Sequence, residues 1–165
     1  MQNNPLNNKY ILIKPHHFLD YLYDLAVNFD HEHEINYYGS NNGMLCTAFQ
    51  KGQLKKIKFT PFVDDICKPC KNLKDTGKCT DIFDEITTKA YGTNSKHEFN
   101  YQLDIKLNAA LPNIFQFEEV RNTIDVLYEL EKFLTEEIVN LYLWKRPERY
   151  EKTMLGIAKA IKLYK

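Results

Sequence analysis

Tyr10-Ile11-Leu12-Ile13-Lys14-Pro15-His16-His17-Phe18-Leu19-Asp20-Tyr21-Leu22-Tyr23-Asp24-Leu25-Ala26-Val27-Asn28-Phe29 changes its period part-way along, and that change decides the fold class. Residues 10–14 are a short β-prone run. Pro15 suits the first turn of a helix because its φ is already helical and its missing N–H would have had no partner there. From there Phe18, Leu22, Leu25, Ala26 and Phe29 recur at helical spacing. A strand running into a helix predicts a mixed fold and places His16 and His17 in the helix's first turn.

The same reading extends outward. Lys56-Ile57-Lys58-Phe59-Thr60 alternates as a half-buried strand does, and Pro61 confines it to an edge or an end. Met44 to Phe49 is compatible with helix or strand. Thr80 or Asp81 is a candidate cap for a helix through Ala90 that buries Ile82, Phe83, Ile86 and Ala90. Residues 92–96 are the best candidate linker. Beyond them Phe99, Tyr101, Leu103, Ile105 and Leu107 alternate, which suggests a strand with a helix as the alternative. Val120, Ile124, Leu127, Leu134, Ile138 and Leu141 mark one helical face, closed by Pro147 before a final helix with Tyr150, Met154, Ile157, Ile161 and Tyr164 inward. The expectation is an α+β, mainly helical domain: a small sheet with flanking helices, a cysteine-lined metal loop and a C-terminal antiparallel helical pair. It divides into a flexible leader over 1–9, a metal-centre region over 10–92 and a mainly helical region over 97–165 packed on the same domain.

The chain has 165 residues, with 22 Lys and Arg against 22 Asp and Glu, so no overall field draws it to nucleic acid or an anionic membrane. The polar N-terminus lacks a signal-peptide core, and no apolar run approaches the ~20 residues of a membrane span. A cytoplasmic protein is expected. In a reducing compartment, four cysteines within 34 positions point to metal or redox chemistry rather than disulfides.

Cys67-Lys68-Pro69-Cys70 is a pair whose thiolates can chelate one metal or two irons of one cluster. Cys79 follows after a segment with Asn72, Asp75, Thr76 and Gly77, residues that return the chain. Cys46 joins them only through tertiary folding. A pair plus two single cysteines suits a [4Fe–4S] cluster, which takes one thiolate per iron, better than zinc, whose structural sites usually show two paired halves. Zinc in a non-catalytic interaction module is the alternative. A redox dithiol of Cys67 and Cys70 is the second. Lys68, Lys71, Lys74 and Lys78 would stabilise thiolates or simply solvate the loop. Asp64 and Asp65 are candidates to shape the loop or to orient a histidine. His31 and His33, among Glu32 and Glu34, read as a solvated turn. Trp144, Lys145, Arg146 and Arg149 read as a helix end.

Ile13-Lys14-Pro15-His16-His17-Phe18-Leu19, followed by Val63-Asp64-Asp65-Ile66-Cys67-Lys68-Pro69-Cys70 and Gly77-Lys78-Cys79, resembles a family of small bacterial and archaeal proteins of unknown function suspected of binding an iron–sulfur cluster. The resemblance covers roughly residues 10–90. It implies a cluster on Cys46, Cys67, Cys70 and Cys79, with His16 or His17 as a proton donor or substrate contact beside it. The family usually carries a cysteine where this chain has Asp20, which implies that Cys46 replaces that ligand or that Asp20 itself ligates iron. The partner expected is a small molecule or a redox protein. The segment from about Ser95 has no counterpart in the resemblance.

Overall fold

The computed structural model describes residues 4–29, 39–142 and 148–165. Strand β1 (Ile11–Ile13) leads through Lys14 into helix α1 (Pro15–Val27), with the proline in the first turn as its geometry favours. Helix α2 (Asn42–Gln50) settles the ambiguous Met44–Phe49 run as helical. Strand β2 (Lys56–Phe59) pairs parallel with β1, Ile11 opposite Ile57 and Ile13 opposite Phe59, and lies at the centre of a three-stranded sheet. Strand β3 (Val120–Asn122) completes it antiparallel to β2, with Ile57 opposite Arg121. Pro61 falls past the end of β2, where its missing N–H costs no ladder bond.

Ile11, Ile13, Ile57 and Phe59 occupy one face of this sheet and are buried, as a period of two requires. Phe18 packs edge-on against both Phe49 and Phe59, joining α1, α2 and the sheet in one core. Helices α5 (Thr123–Phe133) and α7 (Glu148–Tyr164) form the C-terminal pair, with the short α6 (Glu136–Val139) between them. Helix α7 packs most extensively on α1. Gly156 permits this: a Cβ there would stand 1.8 Å from the Leu22 carbonyl oxygen, so the two backbones touch. The architecture is the expected mainly helical α+β fold.

Several local expectations are corrected. The alternating run from Phe99 to Leu107 is helix α4 (Lys96–Ala110), started by the Ser95 hydroxyl accepting the Glu98 N–H. The residues it buries are Leu103, Asp104 and Leu107, a helical spacing that the two-residue alternation masked, while Ile105 lies at the surface. The helix expected from Thr80 or Asp81 begins later, as α3 (Glu85–Tyr91) capped by Asp84, and buries neither Ile82 (62% exposed) nor Ile86 (82% exposed). Residues 92–96 form a tight α3–α4 corner, with Gly92 left-handed at the end of α3 and the Asp81 carbonyl accepting from Lys96 N–H. The expected helical face running from Val120 towards Leu141 is divided among β3, α5 and α6, because Leu134 turns extended and Thr135 recaps the chain. Phe29 lies beyond α1, which ends at a left-handed Asn28. His31, His33, Glu32, Glu34, Trp144, Lys145 and Arg146 lie outside the described residues.

Candidate metal centre and its cavity

The site is built where β1 gives way to α1. The first N–H groups of a helix have no partner within it, and here two buried aspartates from distant elements supply the acceptors. Asp64 Oδ2 accepts from the Lys14 backbone N–H (3.0 Å) and pairs with His17 Nδ1 (2.7 Å), while its Oδ1 accepts from the Cys67 N–H (3.0 Å). Asp104, on α4, accepts from the His16 N–H and lies 2.9 Å from His16 Nδ1 through both oxygens. Asp65 docks the loop as an added strand would: its N–H donates to the Leu12 carbonyl and its Oδ2 accepts from the Leu12 N–H at 2.7 Å. Asp64 therefore both shapes the cysteine loop and orients a histidine, while Asp65 ties the loop to β1.

Burial raises the Asp64 carboxyl, but His17, Lys14 and the Cys67 N–H outweigh it and hold Asp64 below the ordinary carboxylate range. Asp64 is thus an anion with no exposed side-chain surface, and its bond to His17 Nδ1 leaves Nε2 as the ring nitrogen available to a ligand. Burial, with His17 alongside, pushes His16 well below the usual imidazole range, and burial pushes Asp104 up to about 7. Burial therefore disfavours the charged form of both members of the His16–Asp104 pair. The rings of His16 and His17 lie 4.2 Å apart between centroids.

The cysteine loop turns tightly. The Cys70 N–H donates to the Cys67 carbonyl, and Leu73 bridges Cys79 across a return at Lys74–Lys78 with Gly77 in the left-handed region. Cys67, Cys70 and Cys79 are half-buried free thiols. Among the described residues, the set of three whose donor atoms all lie within 4.8 Å of one another is His17, Asp64 and Cys67. Burial and the Asp64 charge push the Cys67 thiol up, whereas Lys14, whose ammonium is 3.9 Å from Cys67 Sγ, pulls it down. Burial lowers the Lys14 ammonium, and Asp64, Cys67, Asp104 and Cys79 more than reverse this. A histidine nitrogen and a thiolate with a buried carboxylate behind them form a donor set able to hold a transition metal.

Cys46 lies in α2, fully buried within the hydrophobic core. Its helix is docked on the cysteine loop, where the Asn41 N–H donates to the Ile66 carbonyl and the Asn41 side chain to the Asp65 carbonyl. Asp20 is half-exposed and pairs with Arg149 across the α1–α7 contact. Beside the centre opens a cavity of about 660 Å³, lined by His16, His17, Asp20, Arg149, Phe83 and Phe99 among others. His17 thus belongs both to the metal-capable group and to the cavity wall.

Sequence reasoning missed Asp104, Lys14 and His97, whose Nδ1 accepts from the Cys79 N–H at 3.4 Å. Asp104 was findable: a carboxylate at helical spacing between Leu103 and Leu107, once the segment is read as helix, falls on the buried side and needs a partner. No helix among the described residues is long and apolar enough to cross a membrane. No protein-family model, curated protein or solved structure matches the chain.

Proposed function

We propose that the protein carries a metal centre where the cysteine loop meets the start of α1, and that the centre is a [4Fe–4S] cluster serving electron transfer or a small cluster-dependent enzyme. The observation that carries the reading is the convergence of His17, Asp64 and Cys67 within 4.8 Å. Asp64 already accepts three N–H groups, so it acts as the carboxylate that orients His17, while His17 and Cys67 are the ligands. Cys70 and Cys79 complete a thiolate-rich set on the same loop, and soft sulfur donors select iron–sulfur clusters or zinc.

The ligand pattern favours the cluster. Structural zinc usually takes two paired halves, whereas this chain offers one Cys67–Cys70 pair and single cysteines. A cluster gives each thiolate its own iron and so accepts unpaired ligands. His17 is assigned as fourth ligand because it stands beside Cys67. A second reading, in which Cys46 fills that position, is favoured by the docking of α2 on the loop through Asn41. When bound, the cluster would supply one-electron chemistry or a Lewis-acidic iron. Cys67 and His17 would hold it, and Lys14 would offset the negative charge of its thiolates.

The test is the iron, acid-labile sulfide and zinc content of protein purified without oxygen. Iron and sulfide in equal amounts, near four each per chain, are expected. One zinc and no iron would replace the cluster with a mononuclear site on His17 and Cys67 in a non-catalytic interaction module. Full-length protein with neither would end the metal reading and leave the dithiol of Cys67 and Cys70.

A further inference from the structure

The cavity beside His17 is not needed to hold a metal, and its walls are chemically specific. At about 660 Å³ it lies within the range of small-molecule sites. One wall is aromatic: Phe83 packs edge-on against Tyr91 and Phe99, and Tyr91 and Phe99 stack at 4.2 Å. A buried cation, Arg149, also lines it, with a side chain that is 5% exposed and a guanidinium over the Tyr142 ring at 4.0 Å.

Among the described lining residues the formal charges are two cations, Arg149 and Lys96, and three carboxylates, Asp20, Asp81 and Asp84. Arg149 pairs with Asp20 and Lys96 with Asp81, and Asp84 accepts from the Thr87 N–H. A guanidinium has five N–H donors in a planar fork that matches a carboxylate. A site with such a cation and an excess of carboxylates repels a dianion such as phosphate and complements a molecule bearing both charges. The aromatic wall adds a flat surface for a ring.

We propose that this cavity binds a small aromatic zwitterion of the α-amino acid type, its carboxylate on Arg149, its ammonium among Asp20 and Asp84, and its ring against Phe83 and Phe99. The binding stands on the cavity alone. Its role as the substrate pocket of the metal centre rests on the metal reading, through His17, which the two share.

The experiment is titration calorimetry on the full chain with L-phenylalanine, 3-phenylpropanoate, 2-phenylethylamine and L-alanine, which remove the ammonium, the carboxylate and the ring in turn. L-Phenylalanine should bind, and each truncated probe should bind at least about tenfold more weakly, as loss of a charge-assisted hydrogen bond or of ring contact predicts. Thr87→Trp fills the cavity from the half-buried face of α3 without touching the core, and should abolish binding while leaving the far-ultraviolet dichroism unchanged. No binding of L-phenylalanine, equal binding of a truncated probe, or binding that survives in folded Thr87→Trp would each overturn the proposal. Metal content of the same samples separates the two readings. Selective binding by metal-free protein upholds the cavity while failing the centre, and metal-loaded protein indifferent to the probes overturns the cavity alone.

Discussion

His17 Nδ1 lies 2.7 Å from Asp64 Oδ2, and Asp64 is completely buried. This joins the first turn of α1 to a loop 47 residues further along the chain. One carboxylate thereby orients a histidine, caps a helix and holds the backbone of the first loop cysteine.

Asp64→Asn should cost about 3 kcal/mol of stability, because an amide cannot accept from three N–H groups and leaves buried donors unmatched. Urea unfolding of metal-free protein measures it, and a loss below ~0.5 kcal/mol, the scale of a neutral surface substitution, would contradict the role.

The pH dependence follows from the same group. Asp64 is depressed below its ordinary value near 4, so its stabilisation is present above about pH 4 and is lost as pH falls below that. His16, depressed, loses stability as pH falls below about 6.5, whereas Asp104, raised to about 7, gains it as pH falls over about 4–7. The two oppose each other across their shared window. Metal-free protein should therefore show a shallow profile between about pH 4.5 and 6.5 and a steep loss below 4, and Asp64→Asn should flatten the steep limb. A limb unchanged by the substitution would assign acid unfolding to other carboxylates.

Lys14 places its ammonium 3.9 Å from Cys67 Sγ and carries the field of Cys79 as well. Lys14→Met keeps the apolar stem and removes the charge, so the affinity of the centre for metal should fall by roughly tenfold, about 1.4 kcal/mol, on the scale of a nearby charge in a half-buried site. Chelator competition reads this directly. An unchanged affinity would make Lys14 a packing residue.

Gly156→Ala should destabilise by about 3 kcal/mol, since its methyl would stand 1.8 Å from the Leu22 carbonyl oxygen and force α7 off α1. Thermal unfolding checks it. A loss under ~1 kcal/mol would mean that the helices part without cost.

Cys46→Ala should lower stability by about 1 kcal/mol through lost core volume while leaving metal content intact, if His17 is the fourth ligand. Loss of metal in a folded Cys46→Ala protein would instead support the reading with Cys46 as ligand.

The strand-to-helix junction was legible because Pro15 and the change from period two to period 3.6 are local signals. The Asp64-Asp65 pair was legible as loop-shaping because carboxylates beside a cysteine pair have few other uses. Helix α4 was misread because Phe99, Leu103 and Leu107 satisfy both periods while Tyr101 and Ile105 complete the alternation. Only the packing of α4 on α1, the burial of Leu103 and Leu107 and the Ser95 cap decide between them. Lys14 and Arg149 were invisible as site residues for a physical reason: each acts through a partner 53 or 129 positions away, and sequence spacing carries no trace of such pairs.

The central claim is tested most directly by metal stoichiometry in anaerobically purified wild type and Cys67→Ala prepared side by side. Wild type should carry one centre per chain, and the folded variant almost none. Wild type without stoichiometric metal, or a variant that keeps the full complement, would contradict it.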